Sequence, residues 1–178
     1  MNKSVKRLAL SAMFLGIGIA LPFLTGQLEN FGNMLLPMHL PVLLCGLVCG
    51  WQYGAGVGFV LPLLRSLIFT KPPMYPNAVV YSLELCTYGL IIGLIWSFLD
   101  KKRTGSVYIA MLSAMACGRV VWALAKIVTM GLAGGKFTFA MFLSGALFEA
   151  ILGIVLQLVV IPLVMSALKR ARLFPYDE

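Results

Sequence analysis

The chain has 178 residues, of which 61% are hydrophobic and only 11% charged, and its mean hydropathy is +0.97. A soluble domain carries about 25% charged residues, so this composition excludes an ordinary soluble fold. The net charge of +8 does not indicate nucleic-acid binding, because the basic residues flank hydrophobic segments and no basic groove with interleaved aromatic residues accompanies them. We expect a single membrane domain over residues 1–178.

Long apolar stretches predict an all-α integral membrane protein with six transmembrane helices, since a helix needs about 20 mostly apolar residues to cross a bilayer. The first stretch continues into TGQLENFGN without a small-x-small cleavage site, so we expect a retained helix rather than a signal peptide. The second is short, and the proline-rich segment TKPPMYPN ends the third. The predicted helices cover about residues 5–24, 37–50, 52–69, 78–99, 107–132 and 137–168.

Most of the basic residues lie at the ends of predicted helices. Under the positive-inside rule such clusters face the cytoplasm. An even number of spans puts both termini on one side, so all three clusters are then cytoplasmic, and the opposite side keeps only Lys71 and Lys136. The clusters are Lys3, Lys6 and Arg7; Lys101, Lys102 and Arg103; and Lys169, Arg170 and Arg172.

Apart from the basic residues at the start of the first helix, five charged side chains lie at membrane depth in the predicted helices, where burying a charge costs a few kcal/mol and indicates a functional site. Arg65 lies near the outer end of the third helix, and Glu84 about two turns below the outer start of the fourth. Lys126 falls in the outer half of the fifth helix, whereas Arg119 and Glu149 lie nearer the middle. The charge is therefore concentrated in the outer half.

Helical spacing places aromatic side chains beside these charges, and residues of the loop after the first helix lie on the same side. Acidic, basic and aromatic groups on inward faces favour a pocket for a small, polar, partly planar molecule. On the sixth helix a stripe of Gly145, Glu149, Gly153 and Gln157 leaves room beside the acid. The predicted binding residues are Asn33, Met38, His39, Arg65, Tyr81, Glu84, Tyr88, Arg119, Trp122, Lys126 and Glu149.

The alternative is that these charges only pair with one another, because buried charges are normally paired. Arg65 would then pair with Glu84, and Glu149 with Arg119 or Lys126. Three cations against two anions leave one positive charge unmatched, which favours an anionic or carbonyl-rich ligand.

The remaining polar residues do not form a catalytic or metal-binding set. His39 is the single histidine and could be a packed or capping residue near the membrane surface. Cys45 and Cys49 share a helix face, but the four ligands of a zinc site are not in evidence, so we expect packing residues and no metal. No Ser/His/Asp set is present, so no catalytic residue is predicted.

The first helix carries Ala12, Gly16 and Ala20 at intervals of four residues. Small residues at this spacing let another helix approach closely. The stripe could pack internally against the second or sixth helix, or it could dock a separate membrane protein.

Together these features resemble the substrate-binding S components of energy-coupling factor (ECF) vitamin transporters, over nearly the whole chain. The resemblance is carried by the size, the six spans, the stripe on the first helix and two stretches of sequence. These are PMHLPVLLCGLVCGWQYGAGVGFVLPLLRSLIF and PPMYPNAVVYSLELCTYG, which look like a branch related to the riboflavin-type members.

The resemblance implies a multi-pass protein of the bacterial cytoplasmic membrane with an S-component-like bundle. It implies a vitamin pocket near the outer surface, capped by the loop after the first helix, and association with a transmembrane coupling protein and two ATPases. The protein would topple in the membrane to release the vitamin inside. The family's Ala-x-x-x-Ala docking pattern would match Ala12 and Gly16, or Gly16 and Ala20, with glycine in place of one alanine.

No cofactor is expected in this chain, since ATP would be used by the partner subunits. The expected partners are the vitamin, membrane lipid and the transporter subunits. The vitamin itself stays open among pantothenate, a B6 vitamer, riboflavin and a thiamine precursor. The alternative function is a small integral membrane enzyme or a membrane assembly factor.

Overall fold

A computed structural model describes residues 3–25, 37–100, 104–132, 134, 138, 141 and 150–171. Its regular elements are all helical, as predicted from composition. The helices are α1 (Lys3–Thr25), α2 (His39–Cys49), α3 (Trp51–Phe69), α4 (Val79–Phe98), α5 (Thr104–Leu132) and α6 (Ile151–Arg170). A short turn, Met74–Ala78, precedes α4, and in it Ala78 N donates to Pro73 O over 2.9 Å.

All these helices except α2 are long and apolar enough to cross a membrane. At 11 residues, α2 spans only about 16 Å, roughly half of the hydrocarbon core. It is nevertheless the most deeply enclosed helix, with ten of its residues buried. The structure thus places α2 as a central element that the longer helices surround.

The predicted bounds of the first five helices agree with the structure to within about three residues. The prediction of one continuous sixth helix over 137–168 is wrong. Thr138 lies outside any helix, Ala150 forms a turn, and α6 begins only at Ile151. The apolar run shows no proline before Pro162, so hydropathy gave no sign of this turn.

Glycines set the close packing of α2, α3 and α4. A Cβ atom on Gly54 would lie 2.7 Å from the Cα of Gly46 and 2.8 Å from the carbonyl oxygen of Gly89. Any larger residue at Gly54 would therefore push three helix backbones apart. Around this contact the core is filled by large aliphatic side chains, including the fully buried Leu43, Leu47, Leu61, Leu85 and Ile92.

The register of α3 against α4 is antiparallel and is fixed by two further contacts. A Cβ atom on Gly93 would lie 2.5 Å from the Cα of Trp51, at the start of α3. Further along, a Cβ atom on Gly58 would collide with the carbonyl oxygen of Leu85. Gly58 is therefore level with Leu85, which determines where the polar residues of the two helices can meet.

One end of the bundle gathers the basic residues. Arg7 of α1 and Trp96 of α4 line a common cavity, and Lys169 Nζ of α6 lies 5.5 Å from the ring centre of Trp96. The start of α1 and the ends of α4 and α6 therefore lie together. The described residues of the first and third basic clusters therefore lie at the same end of the bundle, as the prediction of one shared side requires.

Candidate functional site

The polar faces of α4 and α5 pack against each other over several turns. Near the middle, Glu84 Oε1 of α4 lies 3.0 Å from Arg119 Nη1 of α5. Closer to the start of α4, Val80 packs against Trp122. At the start of the helix, Lys126 Nζ donates a hydrogen bond of 2.8 Å to Asn77 Oδ1. The seam between these two helices therefore carries charge along its outer half.

α2 brings a histidine to the same carboxylate. His39 Nε2 lies 3.7 Å from Glu84 Oε1, and the His39 ring meets Tyr88 edge-on, with centroids 5.1 Å apart and an angle of 85°. A Cβ atom on Gly118 would lie 2.7 Å from the Tyr88 ring, so α5 passes directly over this ring. We refer to His39, Glu84, Tyr88 and Arg119 as the Glu84 cluster.

The Glu84 cluster is enclosed by protein. Glu84, Tyr88 and His39 expose 0%, 1% and 2% of their surfaces, and Arg119 exposes 13%. A charge in such surroundings needs both a counter-charge and hydrogen bonds to be stable. Arg119 provides the counter-charge for Glu84.

The hydrogen bonds are largely missing within the described part of the chain. Both carboxylate oxygens of Glu84, both ring nitrogens of His39, and Nε and Nη2 of Arg119 are buried there without a hydrogen-bond partner. The approach of Arg119 to Glu84 is close enough for an ion pair, but the two groups are not aligned as a hydrogen bond. An unsatisfied buried polar group costs about 1–3 kcal/mol, so the cluster retains binding capacity for a polar molecule.

A family model for the ECF transporter substrate-specific component matches residues 6–165, which is most of the chain. The chain belongs to this family. It is therefore a multi-pass protein of the plasma membrane and a component of a transporter rather than an enzyme. Comparisons with curated proteins and with solved structures found no match.

The alternative pairing of Arg65 with Glu84 in this S component is wrong, because Glu84 pairs with Arg119. The register of α3 and α4 explains the difference. Gly58 is level with Leu85, and Arg65 lies seven residues further along α3, or about 10 Å. Arg65 is half-buried there, and its Nε atom has no hydrogen-bond partner among the described residues.

The remaining predicted binding residues lie at different places. Met38 is half-buried just before α2, and Tyr81 is half-buried against Val80 and Trp122. Trp122 is itself 7% exposed. Asn33 and Glu149 lie outside the described residues, and so does the predicted pairing of Glu149.

On α6 the predicted stripe is described only in its second half. Gly153 is buried, and Gln157 exposes 1% of its surface. Gln157 Nε2 has no hydrogen-bond partner within the described segments, which adds a further polar group in the interior. Gly145 lies outside the described residues.

Sequence reasoning missed the contribution of the segment before α4. Asn77 holds Lys126, and Tyr75 O–H approaches Thr129 O at 3.4 Å. The prolines of the segment TKPPMYPN predict only a helix break. The sequence signal for this contribution is Asn77, a residue that can form hydrogen bonds and lies directly before the membrane helix α4.

The cysteines of α2 are part of the core, with Cys45 and Cys49 both fully buried. Among the described residues no group of three His, Cys, Asp or Glu side chains is placed to hold a metal ion.

The small-residue stripe of α1 faces outward. Ala12, Gly16 and Ala20 are all exposed, and a Cβ atom on Gly16 would meet nothing within 4 Å. The stripe does not pack internally against α2 or α6 in the described part of the S component. It is an open surface that another helix can approach.

Proposed function

We propose that this S component captures a small water-soluble vitamin in the outer half of the membrane and delivers it inward as part of an ECF importer. The Glu84 cluster carries this proposal. It combines buried charges of both signs with hydrogen-bonding atoms that lack partners among the described residues. A ligand with both hydrogen-bond donors and acceptors would provide these atoms with the partners they lack. Bulk water does not reach them, because the surrounding side chains pack closely around them.

The chemistry of the seam defines the kind of ligand. Arg119 and Lys126 provide positive charge for a carboxylate or carbonyl oxygen, and Glu84 accepts hydrogen bonds from N–H or O–H groups. Tyr88 and Trp122 supply aromatic surface for a planar portion of the ligand. Pantothenate, a B6 vitamer, riboflavin and a thiamine precursor each combine some of these features.

Delivery would depend on partner subunits. We propose that a transmembrane coupling protein docks on the exposed stripe of Ala12, Gly16 and Ala20, and that two ATPases supply the energy. This chain would hold no cofactor of its own. The protein would topple in the membrane, so that the vitamin taken up near the outer face is released on the cytoplasmic side.

The first test is mass spectrometry of small molecules released from the protein purified in detergent. A ligand bound at nanomolar affinity survives purification, so we expect a B-vitamin to be recovered unmodified. An empty protein would then be screened by thermal shift against the vitamins. Failure to bind any of them, or recovery of a chemically converted ligand, would contradict the proposal.

Substitutions then test whether the buried charges predicted to bind the vitamin, including Glu84 of the Glu84 cluster, form the binding site. Glu84→Gln, Lys126→Met and Glu149→Gln should each weaken vitamin affinity by about tenfold or more, because each removes a charge-assisted hydrogen bond. Asp100→Asn is the matched control, since it makes the same acid-to-amide change at an exposed site at the other end of α4. Binding that survives all three site substitutions would place the pocket elsewhere.

A further inference from the structure

Gln157 is a buried amide on a helix that is otherwise apolar over most of its length. It exposes 1% of its surface, and its Nε2 atom has no hydrogen-bond partner among the described residues. Such an amide is unfavourable in an apolar interior, because it has lost its hydrogen bonds to water without gaining others. Packing alone would favour leucine or methionine at this position, so the amide indicates a further role.

The depth of Gln157 in the bundle follows from the inner ends of α4 and α6. There, Lys169 Nζ of α6 lies 5.5 Å from the ring centre of Trp96 of α4. Gln157 comes twelve residues before Lys169, and Glu84 comes twelve residues before Trp96. Both are therefore about 18 Å from this contact along their helices, so Gln157 lies at the level of Glu84 to within about one helical turn.

The neighbours of α6 show which way this amide is turned. Among the described helices, α6 packs mainly against α5, which carries Arg119, and against α2, which begins at His39. Ile161 and Met165 follow Gln157 at intervals of four residues and are buried in the same hydrophobic core as Tyr88. Gln157 therefore lies on the face of α6 that is turned toward the Glu84 cluster, at the same depth.

The chemistry of an amide side chain defines what it can recognise. It carries a donor and an acceptor side by side, so it can form two hydrogen bonds with a planar ring edge that presents an N–H beside an acceptor. Tyr88 and Trp122 supply aromatic surface for such a ring. Riboflavin and the aminopyrimidine precursor of thiamine have this kind of edge. Pyridoxine has no N–H beside an acceptor, and the N–H and carbonyl of the pantothenate amide point in opposite directions.

We propose that Gln157 is a specificity-determining residue of the vitamin site, and that its amide hydrogen-bonds the donor–acceptor edge of a planar nitrogen heterocycle. This inference rests on the proposed capture of a vitamin at the Glu84 cluster. The ring edge provides Gln157 Nε2 with the acceptor that no described residue supplies. Glu84 and Arg119 bind polar groups elsewhere on the same ligand.

Ligand titration of the purified full-length protein in detergent tests this role. The probes are riboflavin, the aminopyrimidine precursor of thiamine, pantothenate and pyridoxine. We expect the wild type to bind riboflavin or the aminopyrimidine at least tenfold more tightly than the last two probes. Gln157→Met is similar in size and should weaken that binding about tenfold, since it removes both the donor and the acceptor.

Thermal unfolding without ligand separates this role from a structural one. The midpoint of Gln157→Met should stay unchanged or rise, because methionine carries no amide to be buried without a partner. Gln52→Met is the matched control, since it makes the same substitution at an exposed site near the start of α3. It should change the affinity less than twofold.

The possible failures of the inference and of the proposed function differ. Unchanged affinity in Gln157→Met, while Glu84→Gln still weakens binding, would overturn the role of Gln157 and leave capture at the Glu84 cluster intact. A lower thermal midpoint in Gln157→Met would make the amide a structural group. Tightest binding of pantothenate or pyridoxine would overturn recognition of a ring edge. A wild type that binds none of the four probes would contradict the proposed function and this inference together.

Discussion

Glu84 is the residue whose position most needs explanation, because its carboxylate is fully buried in a membrane bundle. Arg119 lies 3.0 Å away and His39 3.7 Å away, yet neither makes a hydrogen bond with it. A buried ion pair adds little net stability even with good geometry, since desolvation of the two charges offsets their attraction. The small structural return from this pair supports the proposal that the Glu84 cluster is kept for a ligand.

A double-mutant cycle on Glu84 and Arg119 separates these two explanations. Each of Glu84→Gln and Arg119→Met should lower the free energy of unfolding by about 3 kcal/mol, because each leaves one buried charge uncompensated. The double variant should recover much of this loss, since neither charge remains. Its vitamin binding should not recover, because the ligand loses both partners.

The cycle is read from thermal unfolding in detergent together with ligand titration. Wild-type affinity in the stabilised double variant would show that the two charges only pair with each other. Asp100→Asn again serves as the reference for an acid-to-amide change at an exposed site.

At the scale of elements, the sequence predicts the helices and their polar faces well, but not how the helices align. The cost of a charge in lipid is enough to place Glu84 and Arg119 on inward faces. The partner of Glu84 depends on the register of α3 against α4, which is set by the contact of Gly58 with Leu85. Eighteen glycines occur in the chain, and nothing in the sequence distinguishes the one that makes this contact.

A pair of alanine substitutions on α3 tests that register. Gly58→Ala should destabilise the protein by about 2–3 kcal/mol, because the new methyl group would collide with the Leu85 carbonyl and force α3 away from α4. Gly56→Ala is the matched control, two residues away, where a Cβ atom would meet nothing within 4 Å. It should be neutral or stabilising by up to about 1 kcal/mol through helix propensity.

The thermal midpoint of Gly58→Ala should therefore fall, whereas that of Gly56→Ala should stay unchanged or rise. Equal midpoints for Gly58→Ala and Gly56→Ala would mean that α3 and α4 are not held in this register. Arg65 would then no longer be kept about 10 Å beyond the level of Glu84 by this contact.

At the scale of the whole molecule, the composition and the basic clusters are sufficient to predict an all-helical membrane protein with one basic end. The family follows from motifs distributed over residues 6–165. The turn at Ala150 could not be predicted, because apolar periodicity does not show where a membrane helix begins within a longer apolar run. The proposed docking surface was only partly predictable: the spacing identifies the stripe on α1, but only the packing shows that the stripe faces outward.

This outward face makes a prediction that separates substrate capture from transport. Gly16→Leu should leave vitamin affinity and the thermal midpoint unchanged, because the space beside Gly16 is open in the isolated chain. It should reduce vitamin uptake at least tenfold in cells that contain the complete transporter, since a leucine there holds a docking helix away. Gly56→Leu adds the same bulk to an exposed position of α3 and should spare both activities.

Gly18→Leu gives the opposite reference on the same helix. A Cβ atom there would lie 2.6 Å from the Leu61 side chain, so this variant should lose stability and with it binding. Loss of binding in Gly16→Leu as well would mean that its face of α1 packs within the S component. Unchanged uptake in Gly16→Leu would instead place the docking surface on another helix. Only intact binding with blocked uptake fits a subunit that captures the vitamin alone but needs α1 to pass it on.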